Sequence, residues 1–248
     1  MLEILYQETL CGNRSYNQDA LLVKEFYNGD KLLAVADGMG GGVLGGELAQ
    51  KAMDMLEGLF TAPVKYPSSD LKKAVHLIND TLRDMLLIYD VKTKKETKMQ
   101  KGGTTLCVVY YNDKKNKITY VNIGDSRVSL CGNRKLKNLS IDQNRYEEAK
   151  IEGKTAKKKD KRIVAAILGV STNREIDEVL ENKQWQAVGQ KTLVYPKETV
   201  ILSTDGFHDY ANKELFCADF HTNFWGGFAR VQQESQDNIT IIVAKVRP

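Results

Sequence analysis

Residues 32–52 read LLAVADGMGGGVLGGELAQKA, and the fold turns on how this stretch is parsed. The apolar run from Leu32 to Ala36 stops at Asp37, and the nine residues from Gly38 to Gly46 include six glycines. Leu44, Leu48, Ala49, Ala52, Met55, Leu56, Leu59 and Phe60 then recur at helical spacing, which predicts a helix over 44–60. Strand, glycine turn and helix together outline a nucleotide cradle, and Gly40, Gly42 and Gly45 satisfy G-x-G-x-x-G. A dinucleotide-binding oxidoreductase also needs an acidic residue about 20 positions further on, within a parallel βαβ unit. Glu57 and Asp70 bracket that spacing poorly, and a second helical pattern follows where a strand is required. The residue to follow is the aspartate in front of the glycines.

Outward from this stretch, residues 2–9, 19–27 and 31–36 read as strands. A second helix is expected over 70–89, with Ser68 or Ser69 as its cap and Leu71, Ala74, Val75, Ile78, Leu82, Met85 and Leu86 as its inner face. The basic connection VKTKKETKMQKGG ends in glycine. TTLCVVYYN and KITYVNIG flank the turn DKKN, and RVSLCG and KLKNLS flank NR, so two hairpins adjoin. Residues 143–183 are polar and weakly patterned. TLVYPKETVILSTDG resumes strand character, a short helical region is expected over 212–235, and NITIIVAKV is a closing strand. Helices in blocks between antiparallel strands define an α+β class with stacked sheets and outer helices. No repeat or linker divides residues 1–248, which are expected to form one domain.

The chain has 248 residues, 42% of them hydrophobic, and only four prolines, which fits a folded protein with a core. A net charge of +4 demands neither nucleic acid nor membrane as partner. No run reaches the length of a membrane span, and MLEILYQETL lacks the apolar run of a signal peptide. The four cysteines (11, 107, 131 and 217) show no C-x-x-C spacing and are expected to be reduced structural thiols of a cytoplasmic protein.

The chemistry gathers at aspartates. Apolar runs end in Asp37, Asp125 and Asp205, and Asp237 stands at the start of another. Each alone is an ordinary turn residue, but strand ends on one rim of a sheet can bring distant carboxylates together. Clustered carboxylates raise one another's pKa, and a bound cation reverses that. An all-oxygen set favours Mg²⁺ or Mn²⁺ over zinc. The three histidines (76, 208 and 221) and the cysteines form no zinc-ligand set. His76 is expected in packing or at the surface, His221 at the surface, and His208, just after STDGF, is within reach of a site. Arg14, in GNRSYNQDA, either pairs with a nearby carboxylate or grips a phosphate with its guanidinium fork. Asp19 opens a strand and is a further candidate for the cluster.

Six segments, GNRSYNQDA (12–20), LLAVADGMGG (32–41), GGTTL (102–106), VNIGDSRVSL (121–130), ILSTDGF (201–207) and SQDNITIIV (235–243), resemble in order those of the metal-dependent protein phosphatases, the PPM or type-2C family, especially its compact bacterial members. The resemblance implies a β-sandwich of two mainly antiparallel sheets flanked by α-helix pairs, with metal ions in a cleft between the sheets. It implies Mn²⁺ or Mg²⁺ as cofactor, two ions in the core site and a weaker third. Asp37 would bridge two ions, the Gly38 carbonyl would bind one, and Asp205 and Asp237 would complete the first. Asp125 with Asp205 would hold the third ion. Asp19, Gln18 and Asn238 would support the cluster from behind, and Arg14 would hold the phosphate. The implied reaction is hydrolysis of phosphoserine and phosphothreonine by direct attack of a water shared by two ions, without a phosphoenzyme. Implied partners are phosphorylated proteins, among them a serine/threonine kinase, and the family is usually monomeric.

The chain departs from the family pattern in places. Gln18 replaces a common Glu, Gly42 stands where bacterial members often have His, and Met39 occupies the position of a histidine proposed as general acid in animal members. Residues 143–175 correspond to a flap, here rich in lysine (150, 154, 157, 158, 159 and 161), which is either a solvated loop or a recruiter of acidic phosphoproteins. The interval from Asp205 to Asp237 is short for the family. Two other functions fit the same segments: a non-catalytic phosphoprotein binder, and a phosphatase acting on non-protein esters.

Overall fold

A computed structural model describes residues 1–40, 44–62, 66–93, 102–170, 175–193, 198–212, 215, 217 and 224–247. Gly41, Gly42, His221, most of the basic connection and residues 171–174 of the flap lie outside them. The elements are β1 (Leu2–Leu10), β2 (Asp19–Glu25), β3 (Lys31–Gly40), α1 (Leu44–Leu59), α2 (Ser68–Thr93), β4 (Gly102–Thr104), β5 (Leu106–Asn112), β6 (Lys117–Ile123), β7 (Arg127–Gly132) and β8 (Lys135–Asn138). Then follow α3 (Arg145–Ile151), a 3₁₀ helix (Lys158–Arg162), α4 (Ile176–Glu181), β9 (Val188–Thr192), β10 (Glu198–Ser203), α5 (Asp205–His208), α6 (Phe224–Glu234) and β11 (Ile239–Val246).

The strands form two antiparallel sheets. One runs β1-β11-β10-β7-β8; the other runs β2-β3-β5-β6-β9, with β4 pairing the end of β3. Period-two alternation explains the layering. On β3, Leu33 and Val35 face the other sheet and pack with Val109, Val128, Val200, Leu202 and Ile242. Leu32, Ala34 and Ala36 face outward, against Leu48, Ala52 and Leu56 of α1 and Val75, Ile78 and Leu82 of α2. β3 is therefore apolar on both faces and reads as a continuous run. The outer face of the first sheet, through Ile201, Ile239, Ile241 and Val243, is covered by Phe224, Phe228 and Val231 of α6. Two stacked antiparallel sheets between helical layers are the expected α+β sandwich. The α1–α2 pair covers one face, and α6 is the long helix on the other among the described residues. No described helix is long and apolar enough to cross a membrane.

Two local expectations change. The glycine stretch is not a loop from Asp37 onward: β3 continues to Gly40 and pairs Gly38 with Thr104 of β4. And Cys131, on β7, forms a disulfide with Cys217, 86 residues away, where four reduced thiols were expected. Spacing gave no sign of this bond, because the packing of the segment after α5 against β7 brings the two Cα atoms to 5.4 Å. Cys11 and Cys107 are free, and Cys107 is buried on β5.

Candidate metal and phosphate site

The sheets place the four aspartates at one cleft. Asp37, Asp125, Asp205 and Asp237 line it together with Arg14, Gln18, Gly38, Asn238, Arg162 and Asp209, around a volume of about 430 Å³. Asp19 sits behind the cleft wall, paired with Asp37 in the β2–β3 register.

The backbone of Asp37 is fixed on both sides. Its N–H donates to Thr105 Oγ1 at 2.9 Å. Its carbonyl accepts from the Thr105 N–H at 2.9 Å and from Thr104 Oγ1 at 3.0 Å. The TT of GGTTL thus clamps the central carboxylate. Gly38 donates its N–H to the Gln18 carbonyl at 3.0 Å, and a side chain at this position would overlap the Gly45 and Gln18 carbonyls. The glycine is required for room, so that the first turn of α1 can rest against β3, rather than for a left-handed conformation. A Cβ at Gly206 would run into the Asn238 carbonyl, and this backbone contact is what sets Asp205 beside Asp237.

Hydrogen bonds tie the first loop to the last strand. Asn238 Nδ2 donates to the carbonyls of Cys11 and Tyr16 at 2.8 and 2.9 Å, and its Oδ1 accepts from the Gln18 N–H at 2.9 Å. The Gln18 side chain donates to the Gly40 carbonyl at 3.1 Å. Arg14 donates through Nη2 to Asp237 Oδ2 at 2.7 Å and through Nε to the Gln236 carbonyl at 2.8 Å. Arg14 thus pairs with a carboxylate, the first of its two readings, and it lines the cleft. Thr204 Oγ1 donates to Asp19 Oδ2 at 2.8 Å and accepts from the Thr240 N–H at 3.1 Å.

The electrostatics are those of uncompensated negative charge. Burial, then the charges of Asp19, Asp205, Asp125 and Asp237, push Asp37 well above the usual carboxylate range. Burial, followed by Asp205 and Asp142, does the same to Asp125. Asp205 is pushed up to about 6 by burial and by Asp237 and Asp209, and Asp19 to about 7, chiefly by burial. Asp205 Oδ1 is buried without a hydrogen-bond partner, a costly state for a carboxylate oxygen. Among the described residues no three of these carboxylates close on a single point as a finished side-chain cage. The donor set still fits hard divalent cations: all oxygen, anionic, with one acceptor orphaned.

Sequence reasoning missed several members of the site. Arg162 was hidden in the lysine run, yet it lines the cleft with Val164. Asp209 and Tyr210 also line it, and Asp209 is near enough to feel the charges of Arg127, Lys161 and Arg162. Arg127 makes a two-point bond to Asp142 through Nε at 2.7 Å and Nη2 at 2.5 Å, which anchors the start of the flap two residues after Asp125. The signal for Arg127 was its place in VNIGDSRVSL; nothing in the linear sequence marked its partner. His208 does not reach the cleft: it is buried, with Nδ1 at 3.1 Å from Ser203 Oγ. His76 is at the surface, 3.2 Å from Asp177.

A two-sheet sandwich that gathers four aspartates beside an arginine at one cleft defines a class of hydrolytic site suited to phosphate esters. The family model for protein phosphatase 2C matches residues 11–240, and the chain belongs to that family of protein-serine/threonine phosphatases. No curated protein sequence matches the chain. Among solved structures it is similar to the serine/threonine phosphatase Stp1 from Staphylococcus aureus, at 21% identity and a TM-score of 0.77, over 100% of this chain and 96% of that one. The Mycobacterium tuberculosis serine/threonine phosphatase PstP/Ppp matches at 20% identity and 0.77, over 100% and 99%. The catalytic domain of PstP in complex with two manganese ions matches at 21% and 0.75, over the whole of both chains. At these identities the likeness establishes the shared fold.

Proposed function

We propose that this protein hydrolyses phosphoserine and phosphothreonine esters of other proteins with the aid of divalent cations. The observation that carries this reading is the convergence of Asp37, Asp125, Asp205 and Asp237 from both sheets on one cleft shared with Arg14 and Arg162. Asp37, the Gly38 carbonyl, Asp205 and Asp237 would hold two cations, and Asp125 with Asp205 a third. Mn²⁺, the ion bound in the similar PstP structure, or Mg²⁺ suits these oxygen donors. Bound there, such ions supply charge neutralisation at the carboxylates and phosphate and make water a stronger nucleophile near neutral pH.

The chain's own groups do the rest. Thr104 and Thr105 hold Asp37 in position, and Asn238 holds the loop that presents Arg14. Arg14, already at the cleft on Asp237, binds phosphate oxygens, and Arg162 approaches from the flap side; both stabilise charge as it spreads over the equatorial oxygens. Asp19, kept in place by Thr204, supports Asp37 from the rear. Met39 offers no proton, and water in the cleft is assigned by default as the source of the proton taken by the leaving seryl or threonyl oxygen. Substrates are phosphorylated proteins, a serine/threonine kinase among them.

Phosphate release from a phosphothreonine peptide tests the reading. Release is expected with Mn²⁺ and is expected to stop in excess chelator. Absence of release with Mn²⁺, or persistence in chelator, would refute it.

A further inference from the structure

The charge of this chain is not spread over its surface. Residues 145–162 carry eight Lys and Arg against four Asp and Glu, so this one segment holds the whole net charge of +4 and the rest of the chain is neutral. The cations within it divide into two groups. Lys150 is paired with Glu147 and Lys154 with Glu152, and Lys161 lies over the Tyr146 ring at 5.1 Å. Lys157, Lys158 and Lys159 are exposed. Asp160 and Lys161 separate them from Arg162, which lines the cleft.

The segment is held in a frame. Arg127 grips Asp142. The Arg145 N–H donates to the Ile163 carbonyl at 2.9 Å, and the Ala165 N–H donates to that of Gln143 at 2.7 Å. Between these ties the 3₁₀ helix Lys158–Arg162 eclipses positions three apart, so Lys159 stands over Arg162 and Lys158 over Lys161. At about 2 Å of rise per residue, Lys159 lies about 6 Å along this segment from Arg162 and Lys157 about 10 Å. An extended peptide covers that distance in about three residues.

We propose that Lys157, Lys158 and Lys159 form a docking strip for substrates with anionic side chains, carboxylates or a second phosphate, about two to four positions from the phosphoresidue in the cleft. The inference rests on the phosphatase reading and deepens it by assigning a substrate class. Lysine ammonium groups on flexible stems suit such a task, because they follow charge rather than a fixed geometry.

Three phosphothreonine peptides would test it, with neutral, glutamate or non-hydrolysable phosphonate residues at those positions on both sides. They would be compared with p-nitrophenyl phosphate, all with Mn²⁺. The anionic peptides are expected to show kcat/KM about tenfold above the neutral one at low salt, the advantage shrinking as ionic strength rises. The Lys157→Ala/Lys158→Ala/Lys159→Ala variant should lose that advantage while hydrolysing p-nitrophenyl phosphate as the wild type does. A gain in the phosphonate arm alone would support the strip and identify a second phosphate as the anion read. Equal kcat/KM on all three peptides, or a preference that survives in the variant, would overturn the proposal. Inactivity of the wild type on all three peptides and on p-nitrophenyl phosphate would instead overturn the phosphatase reading, and this proposal with it.

Discussion

Replacing Asp205 by Asn should stabilise the metal-free protein while abolishing its activity. Asp205 is largely buried, its Oδ1 has no hydrogen-bond partner, and its pKa is raised from the ordinary 3.8 to about 6 by burial and by Asp237 and Asp209. A raised carboxylate pKa means that the folded protein holds this proton more tightly than the unfolded chain, so stability falls as pH rises. The penalty is absent below pH about 4, grows through pH 4–6 and is complete above it. At about 1.4 kcal/mol per tenfold in proton affinity, ionised Asp205 costs the metal-free fold about 3 kcal/mol at pH 8. Asn resembles the neutral acid in shape and removes that cost. For a chain of this size the gain corresponds to a Tm about 6–12 °C higher in chelator at pH 8. Near pH 4 the two proteins should melt together. Added Mn²⁺ should raise the Tm of the wild type and act much less on the variant, because a ligand has gone. Thermal melts at both pH values, with and without Mn²⁺, check this alongside phosphate release. A variant no more stable at pH 8, or equally stabilised at both pH values, would refute the electrostatic argument. Full stabilisation of the variant by Mn²⁺ would refute the placement of Asp205 on the cation.

Gly206→Ala should cost about 3 kcal/mol and most of the activity, since its Cβ would collide with the Asn238 carbonyl and part Asp205 from Asp237; denaturant melts and kcat report the two losses. Thr204→Val leaves both the Asp19 carboxylate and the Thr240 N–H short of a partner, a loss of about 2–3 kcal/mol in urea unfolding. Arg14→Ala and Arg162→Ala should each lower kcat/KM on a phosphothreonine peptide about tenfold or more without moving the Tm appreciably, as expected for groups that act on substrate phosphate; unchanged kinetics would remove either from the site. Thiol titration should find two reactive cysteines in the unfolded unreduced protein and four after reduction, and reduction should lower stability by about 2–4 kcal/mol.

The sequence by itself determined the carboxylates and the layering. Asp37, Asp125, Asp205 and Asp237 were visible because each interrupts an apolar strand pattern, and such interruptions mark the sheet's rim whatever the sheet's topology. The double-sided burial of β3 was likewise written in the unbroken run Leu32–Ala36. The tertiary structure alone decided which groups share the cleft and what holds them there. Arg162 comes 125 residues after Asp37, and its neighbours in sequence are surface lysines, so no periodicity singles it out. Thr104 and Thr204 look like strand residues, yet their hydroxyls fix Asp37 and Asp19. Cys131 and Cys217 are ordinary until β7 meets the segment after α5. Periodicity records which face of an element meets solvent, a property of neighbours along the chain. Pairing across sheets depends on register and on the close backbone approach at Gly38 and Gly206, and these exist only once the two sheets have packed.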